Sequence, residues 1–337
     1  MSESIIASSA LCEAEIYLEG GMAVPRNFIL GNKKVSPFVV APWLNDPAEQ
    51  LSNVSNIIRY LRGEWPCFPF GSADAQGELP PDWEASRRPD PNWHRDSHGY
   101  GANSNWSLKE RSVDKVVLSI NYPEDHPVKC LERTITCCQN SPSVYSEVRC
   151  YPRLDATIPM GFHPVMRLPS IPGRAKIVLS KNSRAWTFPV EVEPGKAALA
   201  ADQRDRPLIE LQGTGGGRFD PTCLPWELET EDLILVTGTE GQVRLENYDE
   251  GYAVTLNWDE AALPSLMLWI SNRGRASYPW NARFRGLGME PVCAPFDLGP
   301  AFSDTSTPLA LKGIPTGIRL KAGYPWTAGL YISVTSL

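Results

Sequence analysis

Three side chains able to move protons near neutral pH stand in settings that isolate them. Glu290 is the lone carboxylate of the apolar run Leu287-Gly288-Met289-Glu290-Pro291. His163 lies between Phe162 and Pro164, and His98 opens the stretch His98-Gly99-Tyr100-Gly101. A carboxylate is costly to bury unless paired or hydrogen-bonded, and burial raises its pKa toward values useful for acid–base work. Glu290 therefore reads either as a general base at the floor of a cleft or as a structural carboxylate. The structural reading pairs it with Arg273, Arg275, Arg283 or Arg285, which are close in sequence. The remaining histidines carry less. His126 sits in the polar turn Pro123-Glu124-Asp125-His126-Pro127 and reads as solvent-facing. His94 and His98 are four apart, but Gly99 and Gly101 interrupt any helix that would align them on a metal. No Ser or Cys occupies a strand–turn–helix nucleophile elbow, so a triad hydrolase has no support.

These groups need a scaffold, and the pattern around them is that of strands. From Trp106 onward the hydrophobic period is mostly two. Val113–Tyr122, Cys130–Gln139, Tyr145–Tyr151, Ala175–Leu179 and Trp186–Val192 read as strands, as do Ala253–Trp258 and Leu266–Ile270. Asp232–Gly238 and Gly241–Asn247 read as a hairpin around Thr239-Glu240. Short alternating strands between turn residues indicate an all-β sandwich or barrel. Leu61–Gly71, with three aromatics among prolines and glycines, is an ordered loop over a sheet. Arg62 at its start either grips a substrate oxygen or ties the loop down. The polar, Pro-rich stretch 72–95 reads as a long surface excursion that narrows or covers a cleft. Gly213-Thr214-Gly215-Gly216-Gly217 lacks the Lys-Ser/Thr of a phosphate loop and reads as a flexible turn.

Composition narrows the classes. The net charge of −7, from 39 acidic and 32 basic residues, argues against non-specific nucleic-acid binding. A hydrophobic content of 42% is enough for a real core, which excludes a disordered or collagen-like chain. The eight cysteines form no CxxC pair and read as reduced thiols. With no leader-like or membrane-spanning stretch, the expectation is a cytoplasmic protein, a monomer or homodimer, of one domain over 1–337.

Taken in order, the segments resemble the aldose 1-epimerase family, also called galactose mutarotase-like proteins, nearest the hexose-6-phosphate 1-epimerase branch. Arg62-Gly63-Glu64 with Pro66 and Phe68-Pro69-Phe70-Gly71 is similar to the family's Arg-Gly-Gly and Pro-aromatic-Gly loop. His98-Gly99-Tyr100 with Trp106, then His163-Pro164, Glu290-Pro291 and the Ala322-Gly323 turn follow in family order, from about residue 55 to about residue 335. The chain departs from the pattern at Glu64, at Gly101-Ala102-Asn103 where the phosphosugar branch has an Arg, and at Val165-Met166 after the second His. The resemblance implies a large twisted antiparallel β-sandwich with a cleft on one sheet. It implies a cofactor-free and metal-free isomerase that interconverts the α and β anomers of a small carbohydrate. Glu290 would take the anomeric hydroxyl proton, His163 would protonate the ring oxygen and His98 would orient the sugar. Asp232 would bind sugar hydroxyls or else is an ordinary charged strand start, while Trp65, Trp280 and Arg62 would form the platform and its rim. Arg283, from the basic cluster, is a further candidate contact. The missing Arg favours a neutral sugar, while that cluster leaves a phosphorylated one open. A non-catalytic carbohydrate-binding protein on the same fold is the competing class. Its mark would be Glu290 and His163 in separate pockets.

Overall fold

The computed structural model describes residues 4–73 and 77–337, so part of the 72–95 excursion, residues 74–76, lies outside the described residues. Two large antiparallel sheets dominate. A nine-stranded sheet runs in the order Cys223–Leu224, Ala175–Val178, Gln242–Asn247, Tyr252–Trp258, Trp326–Ser336, Ser143–Pro152, Val128–Cys137, Lys115–Asn121, Ser107–Arg111. An eight-stranded sheet runs Arg206–Pro207, Arg184–Thr187, Thr230–Thr237, Ser265–Asn272, Arg285–Cys293, Met160–Phe162, Pro66–Cys67, with Val165–Arg167 also paired to Arg285–Cys293. The all-β sandwich expected from the two-residue period is the fold observed.

Alternation decides what each strand presents. In Ser265–Asn272, Leu266, Leu268 and Ile270 face the layer between the sheets. There they meet Leu287 and Met289 of the neighbouring strand and Leu330, Ile332 and Val334 of the opposite sheet. The intervening Met267 and Trp269 face the other way, into a second apolar layer with Trp43, Trp65, Phe70, Trp280 and Phe284. A large apolar side chain buried in either layer contributes about 1.5–3 kcal/mol. The eight-stranded sheet is thus covered on both faces. Its strands accordingly read as near-continuous apolar runs, which hides their alternation in sequence.

Two local expectations are corrected. Asp232–Gly238 and Gly241–Asn247 do not pair with each other. Thr230–Thr237 belongs to the eight-stranded sheet and Gln242–Asn247 to the nine-stranded one, so the Thr239-Glu240 turn carries the chain between layers. His126 is buried rather than solvent-facing, and its Nδ1 accepts the Val128 N–H at 3.0 Å. The described part of the excursion is anchored to the body of the fold. Its short helix, Pro81–Glu84, buries Trp83 against Phe296 with centroids 6.0 Å apart, and Trp83 Nε1 donates to Asp202 Oδ1 at 3.0 Å.

Beneath the loop 61–71 lies a fully buried ion pair. Arg133 reaches from the nine-stranded sheet to the Glu64 carboxylate and to the Gly21 carbonyl. The Glu64 that departs from the family pattern therefore has a partner, and it holds the backbone next to Trp65.

Candidate active site

The strand Arg285–Cys293 turns Gly286, Gly288, Glu290 and Val292 toward the second apolar layer, and Glu290 lies opposite Met267 of the next strand. On its other side the pairing is interrupted. Gly161 pairs with Val292 and Val165 with Gly288. The same register carried through the interruption puts His163 opposite Glu290. Backbone bonds fix the gap, with His163 N–H donating to the Trp65 carbonyl at 2.8 Å and Met289 N–H to the Pro164 carbonyl at 3.0 Å. The imidazole stacks on Trp65 with centroids 4.3 Å apart, and its Nδ1 lies 3.5 Å from Glu290 Oε1.

His98 arrives from a different direction. It precedes the short helix Gly99–Asn103 in a left-handed conformation, φ +59°, and its N–H donates to the Gly71 carbonyl at 2.7 Å. Gly99 must be glycine: its φ is +86° and a Cβ would fall 2.1 Å from the Phe68 carbonyl oxygen. The two imidazoles meet edge to face at 5.1 Å. His98 Nε2 lies 3.5 Å from Asp297 Oδ1, so two histidine–carboxylate pairs stand side by side.

These groups line one cavity of about 290 Å³. Trp65, Trp269 and Trp280 supply its aromatic surface, and Arg275 and Asp297 its other charges. Two larger surface grooves lie elsewhere and contain none of the proton-moving residues. Glu290 is fully buried, yet neither of its carboxyl oxygens has a hydrogen-bond partner among the described residues. An unpartnered buried carboxyl beside a cavity is suited to a ligand that supplies the missing bonds. Gly288 makes room for it, since a Cβ there would lie 2.0 Å from Oε1.

Burial pushes the Glu290 carboxyl well above the usual carboxylate range, and the nearby Asp297 charge adds to this. It also pushes His163 well below the usual imidazole range, with His98 adding to the effect. His98 itself is pushed down to about 3 by burial, then by His94 and Arg275. Burial thus favours the neutral forms of both Glu290 and His163. An ionised Glu290 beside a charged imidazole is stabilised only where further hydrogen-bond donors reach the carboxylate.

The other candidates divide. Trp65 and Trp280 line the cavity. Arg62 does not: its Nε donates to the Tyr60 carbonyl at 2.8 Å and its guanidinium covers Tyr17 at 4.0 Å, so it ties down the loop. Arg283 is bound to Asp46 and to the Pro279 carbonyl, away from the cavity. Asp232 accepts the Ala198 and Leu199 N–H groups at 3.0–3.1 Å, and burial raises it to about 6. Its neighbour Glu231 shares the strand face of Leu233 and Leu235 and is joined to the cavity wall through Trp269 and Arg275. A two-residue period anchored on Leu233 and Leu235 could have pointed to Glu231. Nothing in the sequence pointed to Asp297, which a loop brings back to His98. Among the described residues, no group of three or more His, Cys, Asp or Glu is arranged to hold a metal ion, and no helix is long and apolar enough to cross a membrane. All eight cysteines are free thiols.

No protein-family model matches the chain, and no curated protein matches it significantly in sequence. Solved structures do match over their whole length. A candidate aldose 1-epimerase from Escherichia coli aligns with 17% identity and a TM-score of 0.65, covering 100% of both chains. A galactose mutarotase related enzyme from Lactobacillus acidophilus aligns with 13% identity and a TM-score of 0.61, covering 99% of this chain and 98% of that one. An aldose epimerase homologue from C. elegans aligns with 12% identity and a TM-score of 0.61, covering 100% of both. Two antiparallel sheets in this order, with this likeness, give the chain the galactose mutarotase-like fold of the aldose 1-epimerases.

Proposed function

We propose that the protein is a mutarotase-type isomerase that interconverts the α and β anomers of a hexose or related sugar by acid–base ring opening. The observation that carries this is the Glu290–His163 pair, 3.5 Å apart in one aromatic-walled cavity, with both carboxyl oxygens unpartnered among the described residues. The cavity volume is near the lower end of small-ligand sites, about 300 Å³, which suits one sugar ring. Aromatic faces pack against the apolar C–H surfaces of such a ring, and hydroxyls supply the bonds that Glu290 lacks.

Hydroxyl donors stabilise the ionised carboxylate, so sugar binding favours transfer of the Glu290 proton to His163. Glu290 then takes the proton from the anomeric hydroxyl as the bond between C1 and the ring oxygen breaks. His163 gives its proton to that oxygen, which yields the open-chain aldehyde. Rotation about C1–C2 presents the other carbonyl face. On closure the ring oxygen returns its proton to His163 and attacks C1, and Glu290 returns a proton to the carbonyl oxygen. The protonation state that burial favours, acid Glu290 and neutral His163, is the state of the ring-opened intermediate.

A non-catalytic sugar-binding protein needs no such pair, and convergence of Glu290 and His163 on one cavity favours catalysis. The test is anomer exchange measured by NMR for glucose, galactose and glucose 6-phosphate. Accelerated exchange of at least one is expected. Saturable binding without acceleration of any would replace the isomerase with the binding protein.

A further inference from the structure

Only Arg275, of the four arginines between residues 273 and 285, lines the cavity. Arg273 lies 3.6 Å from Glu229, Arg283 is held by Asp46, and Arg285 bonds Asn272 and the Pro169 carbonyl. Arg275 sits in a built clamp. Its Nε is 2.9 Å from Glu231 Oε1, and Trp269 Nε1 donates to the same oxygen at 2.9 Å. The guanidinium lies 4.6 Å from the ring centre of Trp280 and 5.7 Å from that of Trp269. Glu231 is fully buried, whereas the Arg275 side chain retains 26% exposure. With Nε beside the Glu231 carboxylate, the guanidinium has two further Nη groups. These have no hydrogen-bond partner among the described residues.

Charge then separates the ligands this edge can take. The cavity wall and clamp hold one guanidinium and three carboxyl groups, those of Glu231, Glu290 and Asp297. Glu231 already pairs with the guanidinium, and no other Arg or Lys among the described residues lines the cavity, so a phosphate or carboxylate entering here would find no unpaired Arg or Lys. The planar fork nonetheless keeps its N–H donors at a fixed spacing, and two adjacent hydroxyl oxygens match them. Arg275 forms no ion pair with Glu290, so the fork and the proton-moving carboxyl are separate contact points for a sugar.

We propose that Arg275, clamped by Glu231, Trp269 and Trp280, determines the specificity of the cavity by receiving two adjacent hydroxyls of an uncharged sugar ring, away from its anomeric carbon. The inference rests on the sugar reading above and names the substrate class as neutral.

The test is equilibrium binding, which does not depend on turnover. Wild-type protein, Arg275→Met and Arg275→Lys are titrated with glucose, galactose, their monodeoxy analogues and glucose 6-phosphate, with thermal melts as folding controls. Wild type is expected to bind a neutral hexose more tightly than the phosphate ester. Loss of the fork should weaken that hexose by about tenfold to a hundredfold, the worth of hydrogen bonds to a charged group. Lysine keeps the charge but not the fork, so it should not restore affinity. A sugar lacking one of the paired hydroxyls should bind wild type weakly and lose little more in either variant. Unchanged hexose binding by Arg275→Met overturns this proposal and leaves the isomerase reading intact. A wild-type preference for glucose 6-phosphate that Arg275→Met abolishes makes the edge an anion site and also overturns it. Failure of wild type to bind any sugar overturns both.

Discussion

Gly288→Ala tests how the catalytic carboxyl is placed, using the smallest possible change. The new Cβ would lie 2.0 Å from Glu290 Oε1 and 3.0 Å from both the carboxyl carbon and Trp269 Cβ. Gly288 does not have a left-handed φ, so the backbone accepts alanine and the effect comes from space alone. An ordinary close contact between carbon and oxygen is about 3.3 Å, so the carboxyl must retreat by about 1.3 Å. A displacement of that size at a reacting group costs about 10²-fold in rate. The crowding itself costs about 1–3 kcal/mol of stability. Gly286→Ala is the control. It lies on the same face of the same strand, and its Cβ would crowd Phe284 at 3.0 Å and Val165 at 3.1 Å, with no contact to Glu290. Anomer-exchange rates and thermal melts of both variants are compared with wild type. Both should lose stability, but only Gly288→Ala should lose kcat. A Gly288→Ala protein with the wild-type rate, or equal rate losses in the two variants, would refute the placement of Glu290 at the reacting atoms.

Other outcomes follow from the same geometry. Asp232→Asn should leave the KM for sugar unchanged, because Asp232 bonds the 198–199 backbone; a raised KM would return it to the binding site. Glu64→Gln leaves Arg133 charged and unpaired in a fully buried position, which should cost about 3–5 kcal/mol in urea melts. Substituting Arg133→Met as well should recover part of that loss, and no recovery would mean the pair is not the cause. His126 is pushed down to about 4 by burial. As pH falls below about 6.5 the unfolded chain takes up a proton that the folded chain refuses, so stability declines until about pH 4. The loss is about 1.4 kcal/mol per pH unit, or about 3 kcal/mol in all, and His126→Asn should remove it from the pH profile of stability.

The sequence announces the all-β layers because residues such as Val144, Val148 and Cys150 alternate with polar ones on the nine-stranded sheet. It is less clear in Thr230–Thr237 and Ser265–Asn272, where both faces are buried and every second residue still looks apolar. That loss of contrast leaves Glu231 without a clear local signal, while the resemblance points only to Asp232. Glu290, His163 and His98 were legible because a titratable group in an apolar or glycine-rich setting is unusual enough to stand out. Arg62 and Arg283 were not separable from Arg275 by sequence. Which arginine faces the cavity depends on how one loop folds against Asp46 and Glu231, contacts made across hundreds or tens of residues. Asp297 was silent for the same reason. The thin connection at Thr239-Glu240 looks like a hairpin because nothing local distinguishes a turn within a sheet from one between sheets.

The central assignment is Glu290 as the general base for anomer exchange. Glu290→Gln preserves the size of the side chain and removes its ability to take a proton. With the fastest-exchanging sugar of the NMR panel, general-base catalysis at Glu290 predicts a fall of about 10²–10⁴-fold in exchange rate, with sugar binding retained. An exchange rate equal to that of wild type, in a variant that melts normally and binds the same sugar, would contradict it.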